Sequence, residues 1–483
     1  MKKNVWGWLF ALIFSISFVA CSDHDDDGND DLKKGNTYLG IKIAFPQEGQ
    51  KIGGLRSDPT DYNPVGTFTG RTWLNTVDVY VLSADGVTLT GSQRYTADQI
   101  VYSLDPNGSA VVEPKEPFLT TAGDKVIYVI INNSRPLLTA MPTATDTMSI
   151  VGSGIADLAS VVQNLDLVVM TGKSAVTNIA AGVSADDVKA GQNHVKLSAV
   201  RVASRAIVTT TAPTNVTTKA GVTIGTISNI TYSVAQGGNG VYYIQDTTTY
   251  KTWGYDYISG SDYLTTATQY YDYSDLLNTT DAVPANPATA SDPRAFLNLN
   301  GKFLLENTHL SGDPSTTGYR KGNTAYVLVR AIFTPATSAI TDGGELTNGT
   351  FYVGETDNRI YSTTAAAQNA SGGGTNPQDV RTYQGGKVLY YIWLNPDVIT
   401  KPYNSPVIRN NIYHININSF QTFGFNWNPL NPGPDNPDPK PANPLEPPTT
   451  PILPNDPLSL DETYMTVDIT VLDWTVHSFG IDL

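Results

Sequence analysis

The side chains most often used in catalysis are present but arranged for none of the common reactions. The five histidines (His24, His194, His309, His414, His477) are scattered, and neither an H-E-x-x-H nor a G-x-S-x-G motif occurs. His414 falls in the alternating run Ile412-Tyr413-His414-Ile415 and reads as a strand-face histidine. Aspartate pairs are plentiful, but they form no readable acid–base arrangement of the glycosidase kind. The spacing Asp23-x-Asp25-x-Asp27-Gly28 imitates the start of a calcium loop, yet Lys34 stands where the bidentate Glu is required and no flanking helix pattern is visible. One cysteine excludes an intramolecular disulfide framework and any multi-cysteine metal site. No enzyme, cofactor or metal is expected. With 30 Lys plus Arg against 45 Asp plus Glu, the net charge of −15 argues against nucleic acid, because phosphate binding needs a basic face.

The chemistry that the sequence does support lies near its beginning. Lys2 and Lys3 precede an apolar run that ends in small residues just before Cys21, a secretory signal layout over residues 1–20. Phe18-Val19-Ala20-Cys21 resembles a bacterial lipobox, with Phe18 where Leu is usual. That resemblance implies thioether lipidation of the Cys21 sulfur and cleavage just before it. Each buried CH₂ of an acyl chain would hold the protein to a membrane by roughly 0.8 kcal/mol. Asp23, Asp25, Asp26, Asp27, Asp30 and Asp31 follow directly and read as a disordered acidic tether. Further on, Arg56 sits between Gly53-Gly54 and Asp58-Pro59, in a polar loop rich in Gly and Pro. Such exposed loops are where proteases cut, so the Arg56–Ser57 bond is the candidate cleavage site, with Arg71 as runner-up.

These positions must be held by strands. From residue 37 the dominant signal is period-two alternation, the mark of strands with one buried face. Leu39, Ile41, Ile43 and Phe45 share one side of the first candidate, and Val77, Val79 and Val81 one side of the next. Further candidates lie in 125–131, 195–208, 222–234, 324–333, 387–394 and 411–417, while 154–167 and 180–189 are candidates for short helices. A length of 483 residues suggests two or three domains, and no fixed-period repeat points to a solenoid or propeller. Between Pro429 and Pro457, 12 of 29 residues are proline, which favours an extended spacer at about 3.1 Å per residue.

Only 26 residues follow that spacer, too few for a domain. Met465, Val467, Ile469 and Val471 alternate with polar residues; the phase then flips to Leu472, Trp474 and Val476, which suggests a bulge or two strand segments. Such a tail is either the last strand of its own sheet or a strand for another molecule's sheet edge, and periodicity does not choose between them. A cut after Arg56 would free the first strand. Its four apolar side chains represent about 6–12 kcal/mol of burial as an upper bound. The groove left behind would accept a replacement of similar alternation.

The chain resembles the major subunit of the short (minor) fimbriae of Bacteroidales, a type V pilin of the fimbrillin family. The resemblance is densest in GKFLLEN (301–307), GNTAYVLVRA (322–331), KVLYYIWLNP (387–396) and NSPVIRNNIYHININSFQTFGFNWNPL (404–430), and continues through the spacer and tail. It implies a mainly β fold of two sandwich-like, transthyretin-like Greek-key domains with a few short helices. The expected organisation is a signal peptide (1–20), a removable tether and strand (21–56), an N-terminal domain carrying the acceptor groove (57–200), a C-terminal domain (201–428), the proline-rich linker (429–459) and a donor strand (460–483). It also implies a lipid-anchored outer-membrane precursor, trimming after Arg56 by an arginine-specific surface protease, and a head-to-tail filament of identical copies outside the cell. Anchor and accessory or tip subunits, host or bacterial surface ligands, adhesion and biofilm formation complete the expectation. Residues 1–56 carry seven basic and seven acidic residues, so trimming leaves the charge unchanged and gives polymerisation no electrostatic trigger. The competing non-enzymatic reading is a surface glycan-binding lipoprotein using tyrosines such as Tyr242-Tyr243 and Tyr270-Tyr271.

Overall fold

The computed structural model describes residues 36–45, 65–69, 72–104, 110–142, 147–149, 154–163, 165–235, 237–238, 240–246, 248–252, 270–271, 283–285, 301–313, 316–398, 401–426, 456–458 and 465–475. The fold is mainly β. Two sheets built before residue 202 face each other across one apolar core. In the first, β1 (Thr37–Ala44) lies between β7 (His194–Ser198), which it pairs in parallel, and β4 (Ala110–Pro114) with β5 (Phe118–Thr120), which it pairs antiparallel. The second contains β3 (Thr76–Ser83) paired with β6 (Gly123–Ile131), and Leu89–Thr96 and Met170–Lys173 outside them. Leu39, Ile41, Ile43 and Phe45 meet Val77, Val79, Val81, Ile127, Val129 and Ile131 between the sheets. The alternation read from the sequence therefore does build one core.

The other face of β3 departs from the expectation of a single buried face. Asp78, Tyr80 and Leu82 are fully buried as well. Leu82 and Tyr80 pack, with Tyr128 and Ile130, on Val202, Ala203, Ile207 and Ile412 from the later part of the chain. Asp78 tolerates burial because Arg94 binds it with two hydrogen bonds of 2.6 and 2.7 Å, and Asn133 donates a third at 2.7 Å. A second buried pair, Arg205 to Asp166 at 3.0 Å, joins the strand Leu165–Val168 to Ala203–Thr210, with the Arg205 guanidinium lying over the Phe303 ring.

The later residues form a larger sheet in the order β2 (Val65–Thr69), β10 (Met465–Thr475), β9 (Asn411–Phe420), Asn215–Thr217, Thr223–Ala235, Tyr326–Pro335, Lys387–Trp393; β8 (Ala203–Thr210) also pairs with β9, in parallel. A small sheet of Phe351–Gly354, Ile360–Tyr361 and Val380–Tyr383 covers part of it through a ring cluster in which Phe351 stacks on Tyr383 at 4.5 Å. Of the two helix candidates, 180–189 yields only α1 (Ala185–Lys189), closed by a Ser184/Asp187 capping box. The other is corrected. Residues 154–167 form one 3₁₀ turn and a hairpin, Ala159–Val162 with Leu165–Val168, because Val161, Val162 and Val168 are β-branched and Asp166 is drawn inward by Arg205. Among the described residues the helices are thus few and short.

Candidate functional site: the first and last strands

The residues singled out for strand exchange that the structure describes fall on or beside two strands at opposite ends of the described chain. Leu39, Ile41 and Ile43 on β1 and Phe45 just after it are all at most 2% exposed. The strand is held on both sides. Gly40 to Ala44 run in register with His194 to Ser198, Ile43 faces Val112, and Leu39 faces Phe118. Its start is tied down as well: the Thr37 hydroxyl donates to the Ala180 carbonyl at 2.7 Å and accepts from the Val183 amide at 3.1 Å. Gly40 fits closely where it stands: a Cβ there would lie 2.1 Å from His194 Cδ2 and 2.8 Å from Val188 Cγ1, so a larger residue requires these side chains to shift. Taking β1 out would therefore open a slot with backbone donors and acceptors unpaired along both walls.

On β10, Met465, Val467 and Ile469 are buried in the core of the larger sheet of the same chain. The strand pairs antiparallel with β9, from Phe420↔Met465 to Asn411↔Asp473. Val471 stands opposite Tyr413, and Leu472 opposite Ile412. The register is unbroken at the phase flip. The bulge expected there lies instead on the partner, between Ile417 and Ser419. Of the two readings open for the tail, the folded-back strand is the arrangement in this structure. Among the described residues its outer edge is covered only by β2, in parallel, with Val65 beside Val471 and Phe68 beside Trp474. The spacer's end is docked too: Leu458 is buried among Tyr319, Tyr326, Tyr391 and Trp393.

Cys21, Arg56, Ser57, Arg71, the acidic run, most of the proline-rich spacer and Val476 lie outside the described residues. Sequence reasoning missed the β2–β10 pairing, whose short Val-Gly-Thr-Phe-Thr run carries little alternation. It also missed the outward face of β1, where Lys42 meets Glu113 at 3.7 Å. Of the tyrosines considered for sugar stacking, Tyr243 serves packing. The Tyr243 carbonyl accepts a 2.8 Å hydrogen bond from the buried Tyr128, and its ring packs on the cluster that holds Tyr80, Tyr128 and Ile412. His414 is buried on β9, with its Nε2 2.8 Å from the Thr209 hydroxyl, and burial alone pushes its pKa down to about 4. Among the described residues no group of His, Cys, Asp and Glu is placed to hold a metal ion.

Comparison with known proteins decides the family. The chain is 32% identical over 526 aligned positions, covering all of both chains, to the Minor fimbrium subunit Mfa1 of Porphyromonas gingivalis. The chain belongs to the fimbrillin family. Residues 381–479 match the family described as Major fimbrial subunit protein type IV, Fimbrillin, C-terminal, so the matched region includes β9 and β10. Solved structures similar to this fimbrillin include the fimbrilin FimA of Porphyromonas gingivalis W83 (14% identity, TM-score 0.44, 92% of this chain and 99% of that one). A putative cell adhesion protein of Parabacteroides distasonis is also similar (13% identity, TM-score 0.43, 92% and 99%). This fimbrillin is a fimbrial subunit of a surface fimbrium, and the family and relative it matches are fimbrial subunits rather than enzymes.

Proposed function

We propose that this fimbrillin is a major filament-forming subunit that assembles by donor-strand exchange. The precursor is lipidated at Cys21, carried to the outer membrane, and cut after Arg56 by an arginine-specific protease. β1 then leaves, and residues from Met465 onward of a neighbouring copy enter the vacated slot. Because one copy's tail fills another copy's groove, the contact is head-to-tail and does not close on itself, which produces a filament. The filament supports adhesion and biofilm formation, joined at its ends to anchor and tip subunits. The body would divide near residue 200 into an acceptor domain and a C-terminal domain.

The observation that carries this reading is the contrast in position of the two strands. β1 is interior and contributes four buried side chains, so its loss leaves a deep slot. β10 lies near a sheet edge and has the same alternation, so it can leave without opening the sheet in the middle. The test is digestion of purified precursor with an arginine-specific protease while product size is followed. Trimmed chain should form ladders, chain ending at residue 459 should stay monomeric, and Arg56→Ala should block both trimming and assembly. Trimmed chain that stays monomeric, or tail-less chain that still polymerises, overturns the proposal.

A further inference from the structure

The outward face of β1 carries information that the four buried side chains do not. Lys42 is the middle outward residue, flanked by walls of opposite charge. It is in register with Lys196 on β7, while its Nζ lies 3.7 Å from Glu113 at the end of β4. The side chains of Lys42 and Glu113 are about one third exposed, and Lys196 is exposed. In the precursor the cation at position 42 therefore has one favourable partner, Glu113, and one like-charged neighbour, Lys196. The remaining charges beside this spot are Lys115, Lys189, Glu116 and the half-buried His194, with Lys189 already paired to Glu116 at 3.1 Å.

The arithmetic of alternation fixes what replaces Lys42. The inward positions of β1 are 39, 41, 43 and 45; those of the tail are 465, 467, 469 and 471. Seating four on four puts the centre of one set on the centre of the other. Asp468 then takes the place of Lys42 whether the incoming strand runs parallel or antiparallel to the one that left. Gly40 and Ala44 are replaced by Thr466 and Thr470, in either order. A slip of two residues brings a neutral threonine opposite Lys196 and turns Thr463 or Asp473 toward the core.

We propose that strand exchange is also a switch of ion-pair partner. Lys42 holds Glu113 in the precursor, and Asp468 of a second copy holds Lys196 in the filament, which selects both register and partner. This rests on the donor-strand reading above. The flanking walls are thus used in turn. Glu113 favours the strand that leaves, and Lys196 favours the strand that arrives.

The test uses full chain trimmed after Arg56, with assembly followed by light scattering and by ladder formation at low and high salt. Lys196→Glu should slow assembly about five-fold at low salt, and Glu113→Lys should speed it by a similar factor. Both differences should shrink in high salt, where exposed charges are screened. Lys196→Glu combined with Asp468→Lys should return the rate toward that of the unaltered chain, and Asp468→Asn should slow it less than Lys196→Glu does. Thermal melting of the untrimmed variants checks that each is folded. Wild-type assembly rates for Lys196→Glu, or a double variant that stays slow, overturn the partner switch and leave strand exchange intact. Failure of the unaltered trimmed chain to assemble, or assembly without residues 460–483, overturns strand exchange and the switch with it.

Discussion

The first and last strands carry nearly the same message in sequence and occupy opposite kinds of position. β1 presents Leu39, Ile41, Ile43 and Phe45; β10 presents Met465, Val467 and Ile469 with the same period. β1 has strands hydrogen-bonded on both sides, whereas β10 has β9 on one side and only the five-residue β2 on the other. Loss of an interior strand leaves two unpaired walls and an empty half-core. Loss of β10 unseats only the short β2 outside it and moves the edge inward to β9. Neighbours, not apolar content, make one of them an acceptor slot and the other a removable ribbon.

The largest test of that difference is a matched pair of truncations. Ile43 is fully buried and Ile469 is 3% exposed, so the two lose similar surface when cut to alanine. Ile43→Ala should cost about 3–5 kcal/mol, because strands on both flanks prevent the cavity from collapsing. Ile469→Ala should cost about 2 kcal/mol, since β10 and β2 are freer to settle into the space. Urea unfolding followed by hydrogen exchange within each sheet would separate the two. Equal costs would mean that position in the sheet is not what distinguishes the strands.

How far the sequence reveals this arrangement depends on how local each feature is. The inward residues of β1 and the strand Asn411–Phe420 are legible because alternation is set by the strand itself. The second buried face of β3 is not legible, because Asp78 reads as a solvent-facing charge until Arg94 and Asn133 are brought to it by folding. The hairpin in 159–168 was hidden for a similar reason, with Asp166 buried by an arginine 39 residues away. Pairing of β2 with β10 joins residues some 400 positions apart and leaves no periodic trace. On the candidate site, the apolar half of the groove could be read, and its charged rim could not. Lys42, Glu113 and Lys196 become neighbours only when three distant strands align.

The supports of the two strands should also respond differently to acid. His414 on β9, the strand that holds β10, is buried with its pKa lowered to about 4. In the folded chain it is neutral, so between pH 6.5 and about 4 the unfolded chain binds the proton that the folded chain does not. Stability is complete above pH 6.5 and falls by about 1.4 kcal/mol per pH unit below it, to a total of about 3 kcal/mol. Burial, followed by the charge of Lys42, also lowers the pKa of His194 beside β1, but that ring is only half-buried and its share is smaller. Acid should therefore loosen the sheet of the last strand before that of the first. His414→Gln should flatten the melting-temperature profile across this range; an unchanged slope would remove His414 from the account.

The smallest expected effect concerns the fit of β1 to its own groove. A side chain at position 40 meets the His194 ring at 2.1 Å and Val188 at 2.8 Å, and Val188 is fixed by its place on α1 against β1. Gly40→Val should cost about 1–3 kcal/mol by overpacking. That strain is confined to the strand that is discarded, so trimmed Gly40→Val chain should release β1 more readily and assemble faster. The imidazole can turn away from the strand, whereas Val188 cannot, so His194→Ala should recover part of the cost in the double variant and not all of it. The incoming tail brings a threonine to this same position, and His194→Ala alone should therefore ease its entry while leaving the precursor's β1 in place. If His194→Ala has no influence on the Gly40→Val penalty in a double-mutant cycle, the ring over Gly40 is not what keeps that position small.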